Sequence, residues 1–243
     1  MCVSTLLNGP VYTFDTVSST MDCASNILDS NTVNGTGVIA GHQTQGRGNH
    51  GKAWEDVSGE NLLTTILVDG RRLRRYPSTG YGHCALRAAL AVFRALNDYG
   101  TESAPITIKW PNDVFVRDKK IAGILIEYKK DWVAVGIGVN IGRQTHLVER
   151  EKPATSIAYE FGVIPPILEL FHKIRSSLEE TVYAESWTAA LEPYMWRLHK
   201  KIVVDLSQSR YIEGVHRGIT EEGELLIECH QKIHKIHSGS IRI

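Results

Sequence analysis

The chain has no excess charge of either sign: 27 Lys and Arg stand against 27 Asp and Glu. Without a global field it is not drawn as a whole to nucleic acid or to an anionic membrane. Cysteine is sparse. Cys2, Cys23, Cys84 and Cys229 are scattered and form no C-x-x-C pair, which argues against a disulfide frame or a zinc site and for reduced thiols in a cytoplasmic protein. No apolar run reaches the about 20 residues needed to span a bilayer. The opening MCVSTLLNGPVYTFD lacks a basic start followed by a long apolar stretch, so no secretory signal is visible. Internal repeats and low-complexity tracts are missing too. What is present is ordinary for a globular protein: 243 residues, 42% hydrophobic and 22% charged, enough for one large domain or one large and one small.

Two local concentrations of positive side chains have plain readings. Arg71-Arg72-Leu73-Arg74-Arg75 reads as a solvated loop. His230, His234 and His237 lie in a short alternating stretch with lysines between them, and read as solvent-facing strand histidines, not metal ligands.

Periodicity predicts the elements. Val11–Phe14 reads as a strand, and Ser19 with Asp22 three residues on as a capping box opening a helix to about Leu28. Gly37–Gly41 reads as a buried strand and the alternating Asn61–Val68 as another. Apolar residues at helical spacing predict a helix from Ser78 to Tyr99 with Gly100 as its C-cap. Strands follow at Ile106–Trp110, Val114–Val116, Ile121–Tyr128 and Trp132–Ile141, with a turn at Asp118-Lys119-Lys120. Pro165-Pro166 opens a helix to about Ala184, and Trp187–Leu198 reads as a second helical piece. Beyond His199 the character changes to short, closely spaced strands, at Lys201–Leu206, Tyr211–Ile219, Glu224–Cys229 and Lys232–Ile236. That is the pattern of a small β-barrel with a thin core that leans on the main domain.

Two segments carry chemistry. GHQTQGRGNHGKAWE, from Gly41 to Glu55, places four glycines among two cations, two histidines and a tryptophan. It suits an anion, yet Gly51-Lys52 is followed by Ala53 and not by Ser or Thr, so it is no mononucleotide P-loop. Its glycine order also fails the dinucleotide fingerprint. The second segment, KWPNDVFVRDKKIAGILIE, runs from Lys109 to Glu127. Pro111 ends a strand because it cannot donate to the ladder, and the returning hairpin brings Lys109, Asn112, Asp113 and Lys120 near one another. Two lysines with Asn and Asp suit an ATP–magnesium site, the lysines offsetting repulsion between a carboxylate and phosphates. A surface salt-bridge cluster is the plain alternative.

These segments carry a resemblance. GRGNHGKAW resembles the glycine-rich signature of biotin protein ligases, usually written GRGRxGRxW. KWPNDVFVRDKKIAGILIE resembles their KWPND…K.aGIL.E signature with full spacing, VGIGVNIG from Val135 to Gly142 matches the strand that follows it, and SSTMD from Ser18 to Asp22 is similar to their DSTN segment. The likeness spans essentially the whole chain.

The resemblance implies an α+β fold: a class II aminoacyl-tRNA-synthetase-like catalytic domain, a mixed sheet flanked by helices, over residues 1–198, and an SH3-like barrel over residues 199–243. It implies a ligase that makes biotinyl-5′-AMP from biotin and ATP, with Mg2+, releases pyrophosphate, and moves biotin to a lysine on the biotin carboxyl carrier domain of acetyl-CoA carboxylase or a related carboxylase. By match, Ser19, Thr20 and Gln43 surround the ureido ring, while Arg47, Gly48 and Asn49 border the biotin tail and carboxylate, the glycines letting backbone N–H groups reach that anion. Lys120, beside the close-packing Gly123, meets the carboxylate and the acyl-phosphate oxygen. Lys109 faces the phosphates, Asn112 lies near magnesium, and Lys52, Trp54 and Asn140 belong to the adenylate pocket. Asp113 either orients a lysine or receives the incoming amine. Plain alternatives remain for Trp54 as a core aromatic and Asn140 as a strand-end cap.

Two positions depart from the pattern. Asn49 stands where the family often has arginine, which removes one cation near the intermediate, with His50 and Lys52 as neighbouring substitutes. Met21 replaces the usual asparagine of the STN segment. Strand-like sequence begins near Tyr12, leaving no room for a preceding helix-turn-helix, so no DNA binding is expected. A monomer and a homodimer are both open. The competing functions are a lipoyl or octanoyl ligase of the same superfamily and a non-catalytic biotin-binding protein.

Overall fold

A computed structural model describes residues 7–73, 82–101, 103–143, 154–206 and 210–243. Cys2, Arg74, Arg75 and the expected helix start at residues 78–81 lie outside them. A seven-stranded sheet is built from β1 (Val11–Val17), β2 (Gly37–Gln43), β3 (Asn61–Asp69), β4 (Ile106–Lys109), β5 (Asp113–Val116), β6 (Lys119–Lys129) and β7 (Trp132–Asn140). Their order is β1-β2-β3-β7-β6-β5-β4. Only β1 and β2 pair in parallel; the other neighbours are antiparallel. The mixed sheet and flanking helices agree with the α+β expectation.

The helices are α1 (Thr20–Asn26), α2 (Gly82–Asn97), α3 (Ile157–Phe161), α4 (Ile167–Val182) and α5 (Trp187–Leu191). In α4 the buried Leu170, Ile174, Leu178 and Val182 recur every fourth residue and make one apolar stripe. With the buried face of α2 they cover one side of the sheet in a single core. Each fully buried side chain of this kind contributes roughly 1.5–3 kcal/mol. Arg87 of α2 is itself fully buried. Its Nη1 donates to Thr181 O (2.9 Å), Val182 O (3.1 Å) and Ala184 O (2.7 Å), and its guanidinium lies 4.9 Å from the Trp187 ring. A cation thus caps the carbonyl end of α4, where the helix dipole favours it.

Several elements differ from the sequence reading. β3 is buried at every residue and does not alternate in environment, because helices cover it on both faces. The hairpin turn falls on Arg117 and Asp118, with Arg117 at φ 54°, and Lys119 already begins β6. The piece after Trp187 is α-helical only to Leu191. Pro193 sits in a following 3-10 turn, and Arg197 and His199 take φ of 56° and 60°, so no helix continues to Leu198.

The C-terminal strands β8 (Lys201–Asp205), β9 (Tyr211–Ile219), β10 (Leu225–Cys229), β11 (Lys232–Ile236) and β12 (Ser240–Ile241) form a separate antiparallel sheet ordered β11-β10-β9-β8-β12. Its Ile202, Val204, Leu225 and Ile227 belong to the same core cluster as the main sheet. Trp110 Nε1 donates to Gly223 O (2.9 Å) and Trp196 N to Ile108 O (2.9 Å), so the sheet leans on the main domain as expected. His230 and His234 are exposed and His237 pairs with Glu224 at 2.8 Å. Among the described residues no group of three or more His, Cys, Asp or Glu is placed to hold a metal ion. Among the described residues no helix is long and apolar enough to cross a membrane.

Two imidazoles are buried in this frame. Burial pushes His83 of α2, with help from nearby Arg87, and His216 of β9 down from 6.5 to about 4. Between those values the unfolded chain takes up protons that the fold refuses. Stability from these groups is therefore complete above about pH 6.5 and lost as pH falls toward 4, at up to about 1.4 kcal/mol per pH unit for each histidine. Urea unfolding across that range should show the loss, and His216→Gln should give a shallower slope; an unchanged slope would remove His216 from this account.

Candidate functional site

The site is carved into the face of the main sheet opposite α2 and α4. In antiparallel strands, directly opposed residues share a face. Asp113 opposes Gly123, Gly123 opposes Gly138, and Gly138 opposes Leu63. One row over, Leu125 opposes Gly136, which opposes Thr65. Three glycines on neighbouring strands thus leave a bare trough in the middle of the sheet. The Trp54 indole lies in it: a Cβ on Gly138 would stand 2.5 Å from its Cε2, and one on Gly123 2.9 Å from its Cζ3. Trp54 Nε1 is buried with no hydrogen-bond partner among the described residues.

A β-bulge sets the charged rim. Opposite β5, Ala122 pairs with Val114 but Lys120 pairs with Phe115, so Ile121 is an extra residue in β6. In a regular strand Lys120, three residues before Gly123, would point to the far face. The bulge returns it to the trough side. There Lys120 Nζ meets Asp113 Oδ1 at 2.6 Å and lies 5.5 Å from the Trp54 ring. Lys109 is buried, its Nζ 5.5 Å from the Phe115 ring and 5.7 Å from that of Trp196. The expected gathering of Lys109, Asn112, Asp113 and Lys120 is present in the strand–turn–strand segment. Asn112 is buried, its Nδ2 donating to Ile124 O at 2.7 Å.

The far end of the trough is polar. Ser19 caps α1, its Oγ accepting from Met21 N at 3.2 Å. Thr20 donates to Gln43 Oε1 from its backbone N (2.8 Å) and its Oγ1 (3.1 Å), and accepts from Thr65 Oγ1 (2.9 Å). Asp22 does not complete a capping box. Its carboxylate takes two hydrogen bonds from Arg47, at 2.7 and 2.8 Å, because that guanidinium comes within reach when the glycine loop closes. Arg47 also lies 3.4 Å from Glu127, and its hydrogen bond to Asp22 holds that carboxyl below the usual range.

The glycine loop is a closed hairpin. Trp54 N donates to Gly46 O (2.9 Å) and Gly48 N to Lys52 O (2.7 Å). Gly51 takes φ 72°, which favours glycine. In this conformation the Gly48 N–H is used inside the hairpin, and Arg47 is held by carboxylates. Asn140 likewise has both ends of its amide engaged, donating to Thr155 O (2.9 Å) and accepting from Asn61 Nδ2 (3.0 Å). It holds the cleft wall together, as a strand-end cap would.

Two cavities meet at this rim. The inner one is lined by Ser19, Thr20, Gln43, Arg47, Gly48, Asn49, Trp54, Asn112, Lys120 and Gly123, all expected from the sequence. The outer cleft takes in Lys52, Lys109, Asp113 and Asn140, and shares Gly48, Asn49, Trp54, Asn112 and Lys120 with the inner cavity. Sequence reasoning missed Leu63, Thr64, Leu125, Gly136 and Gly138 in the inner cavity, and Phe115, Asp205 and Arg242 in the outer. The alternating glycines of VGIGVN were the available signal for Gly136 and Gly138. An inner trough with a polar end, opening past lysines into a wider cleft, can hold an amphipathic acid beside a second, larger anion.

Comparison with known proteins gives a consistent picture. Residues 13–142 match the model of the biotin/lipoate A/B protein ligase family. The chain is similar to a biotin–[acetyl-CoA-carboxylase] ligase of Paracoccus denitrificans, 37% identical over 78% of this chain and 82% of that protein. One of the same name from Mycobacterium tuberculosis is 26% identical over 93% and 85%. Among solved structures, the biotin protein ligase from Aquifex aeolicus in complex with biotin and ATP superposes with a TM-score of 0.81 at 26% identity, over 96% of this chain and 97% of that one.

The trough predicts a local response. Gly138→Ala places a methyl where the Trp54 ring lies, so the indole should leave while the strand stays paired. Tryptophan emission should shift to the red and acrylamide quenching should rise. In a Trp54→Phe background the same substitution should change neither; a change there would mean that Gly138 acts elsewhere.

Proposed function

The chain belongs to the biotin/lipoate A/B protein ligase family, and from that premise we propose that it is an ATP-dependent biotin protein ligase. It joins the biotin carboxylate to the α-phosphate of ATP, releases pyrophosphate, and passes the biotinyl group to a lysine of the biotin carboxyl carrier domain of acetyl-CoA carboxylase or a related carboxylase. The observation that carries this reading is the meeting of a narrow amphipathic trough and a wider cleft at Lys120.

In this reading the ureido ring sits against Ser19, Thr20 and Gln43, and the bicycle and tail lie over Gly123, Gly136 and Gly138 once the Trp54 indole has moved out. Trp54 then turns to the adenine, and Lys52 and Asn140 belong to the wall of the nucleotide cleft. The carboxylate ends among Lys120, Arg47, Gly48 and Asn49. Release of Arg47 from Asp22 and Glu127 frees a cation for it, and opening of the Gly48–Lys52 hydrogen bond frees an N–H. Asn49 in place of an arginine leaves this anion site one cation short, which weakens its hold on the intermediate.

Activation forms a bond from a biotin carboxylate oxygen to the α-phosphorus, and the bonding pair to pyrophosphate leaves with it. Lys120 is an electrostatic clamp on the oxygens where negative charge gathers, and Lys109 faces the phosphates. In transfer the lysine nitrogen attacks the acyl carbon and AMP departs with the C–O pair. Asp113 lines the cleft from which the amine arrives and is the carboxylate at hand for its proton. Asn112 is the proposed protein ligand for Mg2+ brought by the nucleotide: its Nδ2 is tied to Ile124 O, which leaves the carbonyl oxygen for a hard cation. When bound, the ion neutralises phosphate charge. We read residues 1–198 as a class II aminoacyl-tRNA-synthetase-like catalytic domain and residues 199–243 as an SH3-like barrel.

Pyrophosphate release should require biotin and ATP together, and a carboxylase carrier domain should become streptavidin-reactive only with both. Release driven by lipoate or octanoate instead of biotin would assign the chain to the other branch of the superfamily, and no release with any acid would leave it a binding protein. Lys120→Ala should slow both pyrophosphate release and transfer from supplied biotinyl-AMP by roughly a hundred- to a thousand-fold, the usual loss for a contact made in the transition state. Its urea midpoint should stay put, since the side chain is half-exposed at a polar rim. Lys120→Arg should also be slow, because guanidinium is planar and larger. Near wild-type rates in a folded Lys120→Ala variant would make this lysine structural.

A further inference from the structure

We propose that Trp196, in the linker between α5 and β8, is a positioning residue for Lys109 and so tunes ATP binding; the inference rests on the ligase reading above. Lys109 carries its ammonium on a flexible four-carbon stem, and ordering such a side chain costs rotamer entropy. In this protein the ammonium is seated over two rings, Phe115 at 5.5 Å and Trp196 at 5.7 Å. The rings are 5.8 Å apart and tilted by 54°, so they form two walls of one corner. Both distances fall within the about 6 Å at which a ring face attracts a cation. A ring attracts a cation without neutralising it.

Phe115 comes from β5, within the nucleotide segment itself. Trp196 comes from far along the chain and is fixed by three contacts of its own. Its backbone N donates to Ile108 O at 2.9 Å, directly beside Lys109. Its Nε1 donates to Asp118 Oδ1 at 2.9 Å, in the β5–β6 turn. Arg197 lies 4.2 Å from its ring and 3.8 Å from the same Asp118. The ring is almost wholly buried. The linker that leads into the C-terminal sheet therefore supplies one wall of the seat for a phosphate-facing lysine, and so couples the two sheets in nucleotide binding.

The test compares Trp196→Leu, which keeps apolar bulk but has no ring face, with Trp196→Phe, which restores one, in biotin-dependent pyrophosphate release. Trp196→Leu should raise the KM for ATP by roughly two- to thirty-fold, the range of a cation–ring contact, and leave the KM for biotin unchanged. Trp196→Phe should recover most of the loss. In a Lys109→Met background, Trp196→Leu should no longer change the KM for ATP. Should Trp196→Leu fail to fold, Asp118→Ala, which frees the indole N–H from an exposed turn, should raise the KM for ATP at least two-fold with biotin unaffected. Equal rises in both KM values, a loss that Phe does not recover, an effect that persists without Lys109, or an unchanged KM for ATP would each overturn the proposal. Absence of biotin-dependent pyrophosphate release from the wild-type protein would instead sink the ligase reading.

Discussion

A binding site in the middle of a β-sheet has to be made out of missing side chains. Gly123, Gly136 and Gly138 stand on one face of adjacent strands, and the backbone they expose is the floor of the site. Every other feature answers to that gap. The far face of the same strands is packed by α2 and α4 in a continuous core, which keeps the floor rigid although its near side is bare. On the near side α1 covers part of the sheet, with Met21 seated on Gly136, and the glycine loop covers the rest. The departure from asparagine at Met21 fits this place: an apolar side chain closes the trough where a polar one would need a partner.

Charge is arranged around the gap by three different means. Lys120 is tied to a carboxylate at 2.6 Å, Lys109 is seated on rings, and Arg47 is clasped by Asp22 and Glu127. These positive groups gather at one cleft in a chain with no net charge, so the field is local and acts on a small anion at short range. The clasp on Arg47 is half-exposed at both partners, with two hydrogen bonds to the Asp22 carboxylate.

Much of this was legible in the amino-acid order. The main strands and the two long helices follow from apolar spacing, and both charged segments were readable as motifs. Errors fell where neighbours in space override neighbours in sequence. β3 was read as alternating, but helices on both faces bury it throughout. Asp22 was read as half of a capping box, but Arg47 from the loop takes it. The stretch after Trp187 was read as helix to Leu198, although Pro193 already argued for an earlier stop. The C-terminal half of the outer cleft, with Asp205 and Arg242, carried no motif at all.

The sequence by itself determined which chemical groups are available and how far apart they lie along the chain: a glycine-rich loop ending in Trp54, the Lys109–Lys120 segment, and the glycines of VGIGVN. It determined the family as well, because those spacings are specific. Only the tertiary structure decided which face each group looks toward. The extra residue at Ile121 turns Lys120 to the site, and strand register lines up glycines from different strands into one trough. The linker after α5 brings Trp196 back to Lys109 from a later part of the chain, beyond the last strand of the main sheet. Side-chain direction in a strand reverses with every residue, so one inserted residue or one step of register changes the site without changing a motif.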